Sequence, residues 1–160
     1  MLAAIDGEPF QPQDPNPAGN VQVDNPEHWR YIEESMTMVV HRPYSEVFRD
    51  YGTAYEAIAR ADRDMSYKMA GKSGSAQVVS IAQDILQSED IDVSDLNKDH
   101  ALFVAYAPAQ HPTIKPQIAV AVFVENGQHG SSVAGPVAKA VIDSYLLDIL
   151  EIDFAALATD

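Results

Sequence analysis

Cysteine is absent from the 160 residues, so no disulfide can staple the fold and no thiolate can hold a metal. The five histidines fall at none of the i, i+4 or H-x-x-E-H spacings of a zinc site, which excludes the common zinc-hydrolase patterns. Basic residues are scarce. Ten Lys and Arg face 24 Asp and Glu, a formal charge of −14, and such a surface repels nucleic acid and anionic lipid alike. No run approaches the roughly 18 consecutive apolar residues of a membrane helix. Met1-Leu2-Ala3-Ala4-Ile5 is too short for the apolar core of a signal peptide, and Asp6 follows it at once. What remains is one domain's worth of acidic chain, long enough to bury a single core.

Residues 1–25 carry Pro9, Pro12, Pro15 and Pro17 and no Lys or Arg, which predicts an extended, linker-like segment. Asn25-Pro26-Glu27 is a helix start: an Asn cap, Pro at the first position and an acid in the first turn. Trp29, Ile32, Met36, Val39 and Val40 then recur at helical spacing, predicting a core helix over about 26–40 that Pro43 ends. Thr53-Ala54-Tyr55-Glu56 fits a capping box and predicts a short helix over about 54–61. The acidic stretch 80–99 hints at a calcium loop at Asp90-Ile91-Asp92. However, Asp95 stands where the sixth-position Gly belongs and Ala101 where the twelfth-position Glu belongs, so an acidic connecting loop is expected instead.

Three runs read as strands: about 67–79, 101–107 and 117–125, the last two as an antiparallel hairpin. Ser131 or Ser132 is placed to cap a closing helix, about 132–147, with Val133, Val137, Val141, Tyr145 and Leu146 on one face. The tail 148–160 reads as a frayed helix end.

Chemistry concentrates in Lys72-Ser73-Gly74-Ser75-Ala76-Gln77, inside the first strand. Period-two alternation puts Ser73 and Ser75 on one face and Lys72 and Gly74 on the other. An ammonium, two hydroxyls and a glycine on a rigid strand suit a site that grips a carboxylate, with Gly74 leaving room for a ligand's backbone. His129, between Gln128 and Gly130, is the histidine best placed near such a rim.

The run Met69-Ala70-Gly71-Lys72-Ser73-Gly74-Ser75-Ala76-Gln77 resembles the Ala-Gly-Lys-Thr-Gly-Thr-Ala-Gln stretch of class B penicillin-binding proteins. Gly52-Thr53-Ala54 matches a tripeptide often found upstream in that family. His100 to Pro108, Ile118 to Gly130 and Ser131 to Leu146 are similar to its next two strands and closing helix. The Glu125-Asn126-Gly127 ending is most like its elongation-specific members. The resemblance covers about residues 26–147. It implies an α+β fold with α/β-type layering: a partial penicillin-binding/serine β-lactamase-like transpeptidase fold.

It also implies roles. Lys72 would supply positive potential, and the Ser73 and Ser75 hydroxyls would bind the terminal carboxylate of a D-Ala-D-Ala stem peptide or a β-lactam. Gly74 and Gln77 would line the substrate, and the Ser75 N–H would be one oxyanion donor. The reaction requires no cofactor and no metal. The implied setting is the periplasmic face of the bacterial inner membrane, beside a SEDS-family glycosyltransferase. The family has Thr where Ser73 and Ser75 stand, so each hydroxyl is kept without its stiffening methyl.

Serine acyl transfer also needs a nucleophile and a base. No Ser-x-x-Lys occurs; Ser94 comes nearest, with Lys98 one position too far, and there is no Ser-x-Asn or Tyr-x-Asn. The nucleophile, the second motif, the anchor and the first strands are therefore expected upstream of Met1, and this chain alone is expected to be inactive. The strand at 117–125 would then have an open edge, leaving Phe103, Val104, Val120 and Val122 short of cover. Two other readings stay open: a non-catalytic peptidoglycan-peptide or partner-binding module, and a β-lactamase relative.

Overall fold

A computed structural model describes residues 22–63, 65–77 and 98–157, together with the backbone of 4–5 and 8–9. The calcium-like and acidic stretch lies outside the described residues except for Lys98 and Asp99. The element order is β1 (Ala4–Ile5), β2 (Glu8–Pro9), α1 (Glu27–His41), β3 (Ala70–Ala76), β4 (His100–Ala107), β5 (Ile118–Val124), α2 (Gly135–Asp143) and α3 (Phe154–Leu157). Wider π-type turns, Gly130–Ala134 and Ser144–Ile149, flank α2.

β1 and β2 pair antiparallel within the segment expected to be linker-like. β3, β4 and β5 form an antiparallel sheet in that order, with Ser73 opposite Phe103 and Phe103 opposite Val122. Three antiparallel strands with helices thus follow the expected pattern, β3 starting at Ala70 rather than 67, while 78–79 of the expected strand lie outside the described residues. Its N-terminal limit has a cause: the Lys68 carbonyl accepts the Ala109 N–H from beyond Pro108, and the Tyr67 side chain turns into the core.

Alternation along β4 decides where the core sits. Ala101, Phe103, Ala105 and Ala107 are buried, while Leu102, Val104 and Tyr106 on the other face are less covered. Phe103 is fully buried, which corrects the expectation that it would lack cover. A Cβ at Gly71 would stand 2.7 Å from its ring and one at Gly135 3.6 Å away, so two glycines on different elements leave the slot the ring fills. Burying such a ring is worth about 1.5–3 kcal/mol. Val104, 46% exposed, fits the expectation, and Val120 and Val122 pack at the edge of the core.

Helix α1 starts as its sequence predicts, the Asn25 side chain accepting the Glu27 N–H at 2.9 Å. Its apolar face is only partly used. Val40 is buried, but Trp29 and Ile32 stay exposed, so the first half of α1 is not the core helix expected. Residues 53–61 form successive turns rather than a helix, and Glu56 pairs with Arg60 at 2.6 Å instead of reaching back to Thr53. The described part of the tail, 148–157, is not frayed either. Phe154 is buried, with its ring centroid 5.4 Å from that of Tyr67.

Candidate functional site

Among the described residues strand β3 is an edge of its sheet, and a cleft of about 420 Å³ runs beside it. Thr53, Lys72, Ser73, Gly74, Ser75, His129, Gly130 and Ser131 line it. Three parts of the chain therefore converge: the turn after α1, the Lys-Ser-Gly-Ser strand, and the arm that joins β5 to α2.

Each part is held by specific bonds. The turn is pinned to the end of α1, with the Gly52 N–H donating to the Arg42 carbonyl at 2.8 Å and the Ala54 N–H to Val39 at 2.9 Å. That fixes Thr53 at the cleft. The approach to β3 is held by His41, whose Nε2 accepts the Met69 N–H at 3.0 Å. This leaves the ring proton on Nδ1, and burial, with help from the Lys68 charge, lowers the His41 pKa below 6.5.

The arm 125–131 needs two residues in the left-handed region, Asn126 at φ 55° and Gln128 at φ 62°. It is tied down where the His100 ring accepts the Asn126 N–H at 3.0 Å and the Asp99 carbonyl accepts the Gln128 N–H at 2.7 Å. Gly130 then lies close over Gly74, where a Cβ would stand 2.5 Å from the Gly74 carbonyl oxygen. Only a residue without a side chain brings the arm this near to the strand.

Ser73 and Ser75 lie opposite Phe103 and Ala101 on the core-facing side of the sheet, and Lys72 and Gly74 lie opposite Val104 and Leu102 on the other. The Lys72 ammonium bends back to donate to the Ser73 carbonyl, and Lys72 lines the same cleft as the two serines. The Ser75 hydroxyl donates to the Gln128 carbonyl at 2.9 Å. The cleft thus presents one ammonium and several hydroxyls at an open strand edge, a set able to bind a carboxylate through charge-assisted hydrogen bonds.

Of the residues singled out in the sequence, Lys72, Ser73, Gly74, Ser75 and His129 line the cleft together, whereas Gln77 lies past the end of β3 and outside it. Thr53, Gly130 and Ser131 line the cleft as well, beyond the site residues expected from the sequence. The capping-box pattern at Thr53 predicts a helix cap, the Gly-Thr-Ala tripeptide being the better signal, and Ser131 faces the cleft with no cap hydrogen bond at Gly130–Ala134.

A second polar cluster fastens α2 to the segment leading into β3. The Tyr67 hydroxyl donates to Asp143 at 2.6 Å, and the Lys139 ammonium bridges Asp143 and Asp62, 2.7 Å from the latter. Burial and the Asp143 contact raise the Tyr67 pKa far above its ordinary value. Burial lowers that of Lys139, but the two carboxylates outweigh it and the net shift is upward. Among the described residues no group of histidines and acids could hold a metal ion, and no helix is long and apolar enough to cross a membrane.

Residues 2–143 match the family described as the penicillin binding protein transpeptidase domain. The peptidoglycan D,D-transpeptidase MrdA of Acinetobacter baumannii is 49% identical over 88 residues, which are 55% of this chain and 12% of that protein. MrdA of Haemophilus influenzae is 34% identical over 150 residues, 91% of this chain and 20% of that protein. The peptidoglycan D,D-transpeptidase PbpA of Mycobacterium tuberculosis is 36% identical over 84 residues, 49% of this chain and 16% of that protein. The chain therefore spans about a fifth or less of the length of these relatives.

Proposed function

This chain belongs to the family of penicillin-binding protein transpeptidase domains, and we propose that it supplies the substrate-gripping, oxyanion-binding part of a D,D-transpeptidase like penicillin-binding protein 2. The carrying observation is the convergence of Lys72, Ser73 and Ser75 on one cleft beside an open strand edge. A peptide ending in D-Ala-D-Ala would lie along β3. Its terminal carboxylate would accept hydrogen bonds from the Ser73 and Ser75 hydroxyls, the latter turning away from Gln128. The Lys72 ammonium would leave the Ser73 carbonyl to offset the incoming charge. The Ser75 N–H would face the oxyanion, a type of donor whose removal typically costs about 10²–10³ in rate. β-Lactams would use the same contacts.

Acyl transfer would require a nucleophile from a Ser-x-x-Lys motif, which these 160 residues do not contain. In the whole protein the domain would crosslink cell-wall peptides at the periplasmic face of the inner membrane, beside a SEDS-family glycosyltransferase.

A second reading is a non-catalytic module that binds the same peptide reversibly through the same strand. Two measurements test the primary reading. Titration with a D-Ala-D-Ala peptide should show saturable binding that Lys72→Ala and Ser73→Ala weaken. Fluorescent penicillin should leave the chain unlabelled, yet acylate a longer protein that carries both this chain and a Ser-x-x-Lys segment. Covalent labelling of this chain at any serine would refute the division of roles, and longer protein that stayed unlabelled would favour the second reading.

A further inference from the structure

A second cleft, of about 590 Å³, is lined by Pro43, Tyr44, Tyr51, Tyr55, Arg60 and Arg63 among others. Its floor is aromatic. Tyr51 and Tyr55 stack with their rings 9° from parallel and centroids 5.5 Å apart, and Tyr44 meets Tyr51 edge-on at 5.3 Å. The segment is anchored where the Tyr51 carbonyl accepts the Arg42 guanidinium at 2.8 Å.

The two clefts share a wall. Thr53 lines the first, while Tyr51 and Tyr55, two residues to either side, line the second. Two residues of chain span at most about 7 Å, so the openings lie within reach of one extended ligand.

Charge decides what class of ligand fits. Arg60 is neutralised by Glu56 at 2.6 Å, and the chain as a whole carries −14, which disfavours a free anion. Arg63 has no carboxylate partner among the described residues and keeps its donors for a neutral acceptor. Aromatic faces with a few amide-directed donors suit the C–H face of a pyranose ring and the carbonyl of an N-acetyl group. The volume lies within the usual range for small-ligand clefts, about 300–1,000 Å³.

We propose that this tyrosine-floored cleft is a glycan subsite, which takes N-acetylated sugar of the polymer whose peptide end enters the Lys72 cleft. The proposal rests on the peptidoglycan reading for its ligand but uses different residues. Tyr44 would cover a sugar face, and Arg63 would donate to an N-acetyl carbonyl.

The test is an NMR titration of the chain with the tetramer of N-acetylglucosamine, run in parallel with a D-Ala-D-Ala peptide. Saturable amide shifts are expected over residues 44–63, with a dissociation constant on the order of 1 mM. Tyr44→Ala and Arg63→Ala, both at exposed positions, should each weaken sugar binding about five- to tenfold and leave peptide binding unchanged. Lys72→Ala should do the reverse. No saturable shifts over 44–63, or shifts that survive both substitutions, would overturn the subsite whether or not the peptide binds. Loss of peptide binding alone would count against the Lys72 cleft and not against this one.

Discussion

Gly130 rests against the backbone of Gly74: a Cβ built on Gly130 would stand 2.5 Å from the Gly74 carbonyl oxygen and 3.0 Å from its nitrogen. The converse does not hold. A Cβ on Gly74 would meet nothing nearer than the Leu102 Cβ at 3.6 Å, an ordinary contact. The two glycines therefore do different things, one letting the arm approach and the other leaving the cleft open.

Gly130→Ala should destabilise the fold by about 1–3 kcal/mol, because backbone on both sides must shift to admit the methyl. Gly74→Ala should keep stability within about 1 kcal/mol of wild type, since alanine is also the less flexible residue in a strand. Its methyl would line the cleft instead and lower D-Ala-D-Ala peptide affinity. Chemical denaturation and a peptide titration on both variants check this. Equal stability losses would show the asymmetry to be unimportant.

The cluster around Asp143 predicts an alkaline limit. A folded pKa raised above its unfolded value gives stability that is complete below the unfolded pKa and lost as pH climbs toward the folded one. Tyr67 and Lys139 both shift upward, so stability should fall as pH rises through about 10.0, where the unfolded tyrosine is half ionised. Tyr67→Phe should flatten that limb. Lys139→Met should cost about 1–3 kcal/mol at neutral pH by removing the ammonium that bridges Asp62 and Asp143, less than for a fully buried pair because Asp62 is 41% exposed. Denaturant midpoints measured from pH 7 to 11 give both answers.

The strands were legible because each is a short run of apolar or small residues between turn formers. The alternation in Ser73 and Ser75 gave their shared face as well. What sequence hid was decided by distant partners. Tyr67 finds Asp143 across 76 residues of chain, and no local pattern announces that bond. Phe154 looked like part of an acidic tail until its ring met Tyr67. The capping box at Thr53 failed for a local reason: Arg60, four residues on, offers Glu56 a full charge where Thr53 offers only a backbone N–H. The flexible four-carbon stem of Lys72 lets its ammonium fold back onto the Ser73 carbonyl, which a strict two-face reading of the strand does not allow for.

His41 predicts the acid limit with the opposite sign. Its folded pKa lies below 6.5, so the stability it contributes is complete above that value and lost as pH falls through the folded pKa. The unfolded chain takes up the proton first. Protonation would place a second donor against the Met69 N–H and loosen the entry to β3. His41→Gln keeps an acceptor in the same region without titrating, and it should remove the part of the acid limb that lies between pH 6.5 and the folded value. Unfolding midpoints from pH 4 to 8 decide the matter, and an unchanged acid limb in the variant would exonerate His41.

The sheet face away from the core makes the last prediction. Val104 is 46% and Phe123 54% exposed there, and Phe123 is covered only in part by the His100 ring, 4.8 Å away. Open sheet edges beside exposed apolar side chains favour pairing between copies. Val104→Thr keeps the β-branch that suits a strand and exchanges one methyl for a hydroxyl, at a position with little burial to lose. With Phe123→Thr it should lower light scattering at a given concentration while the unfolding midpoint stays near that of the parent. If scattering is unchanged, self-association runs through another surface, and the exposed half of α1, with Trp29 and Ile32, is the next to alter.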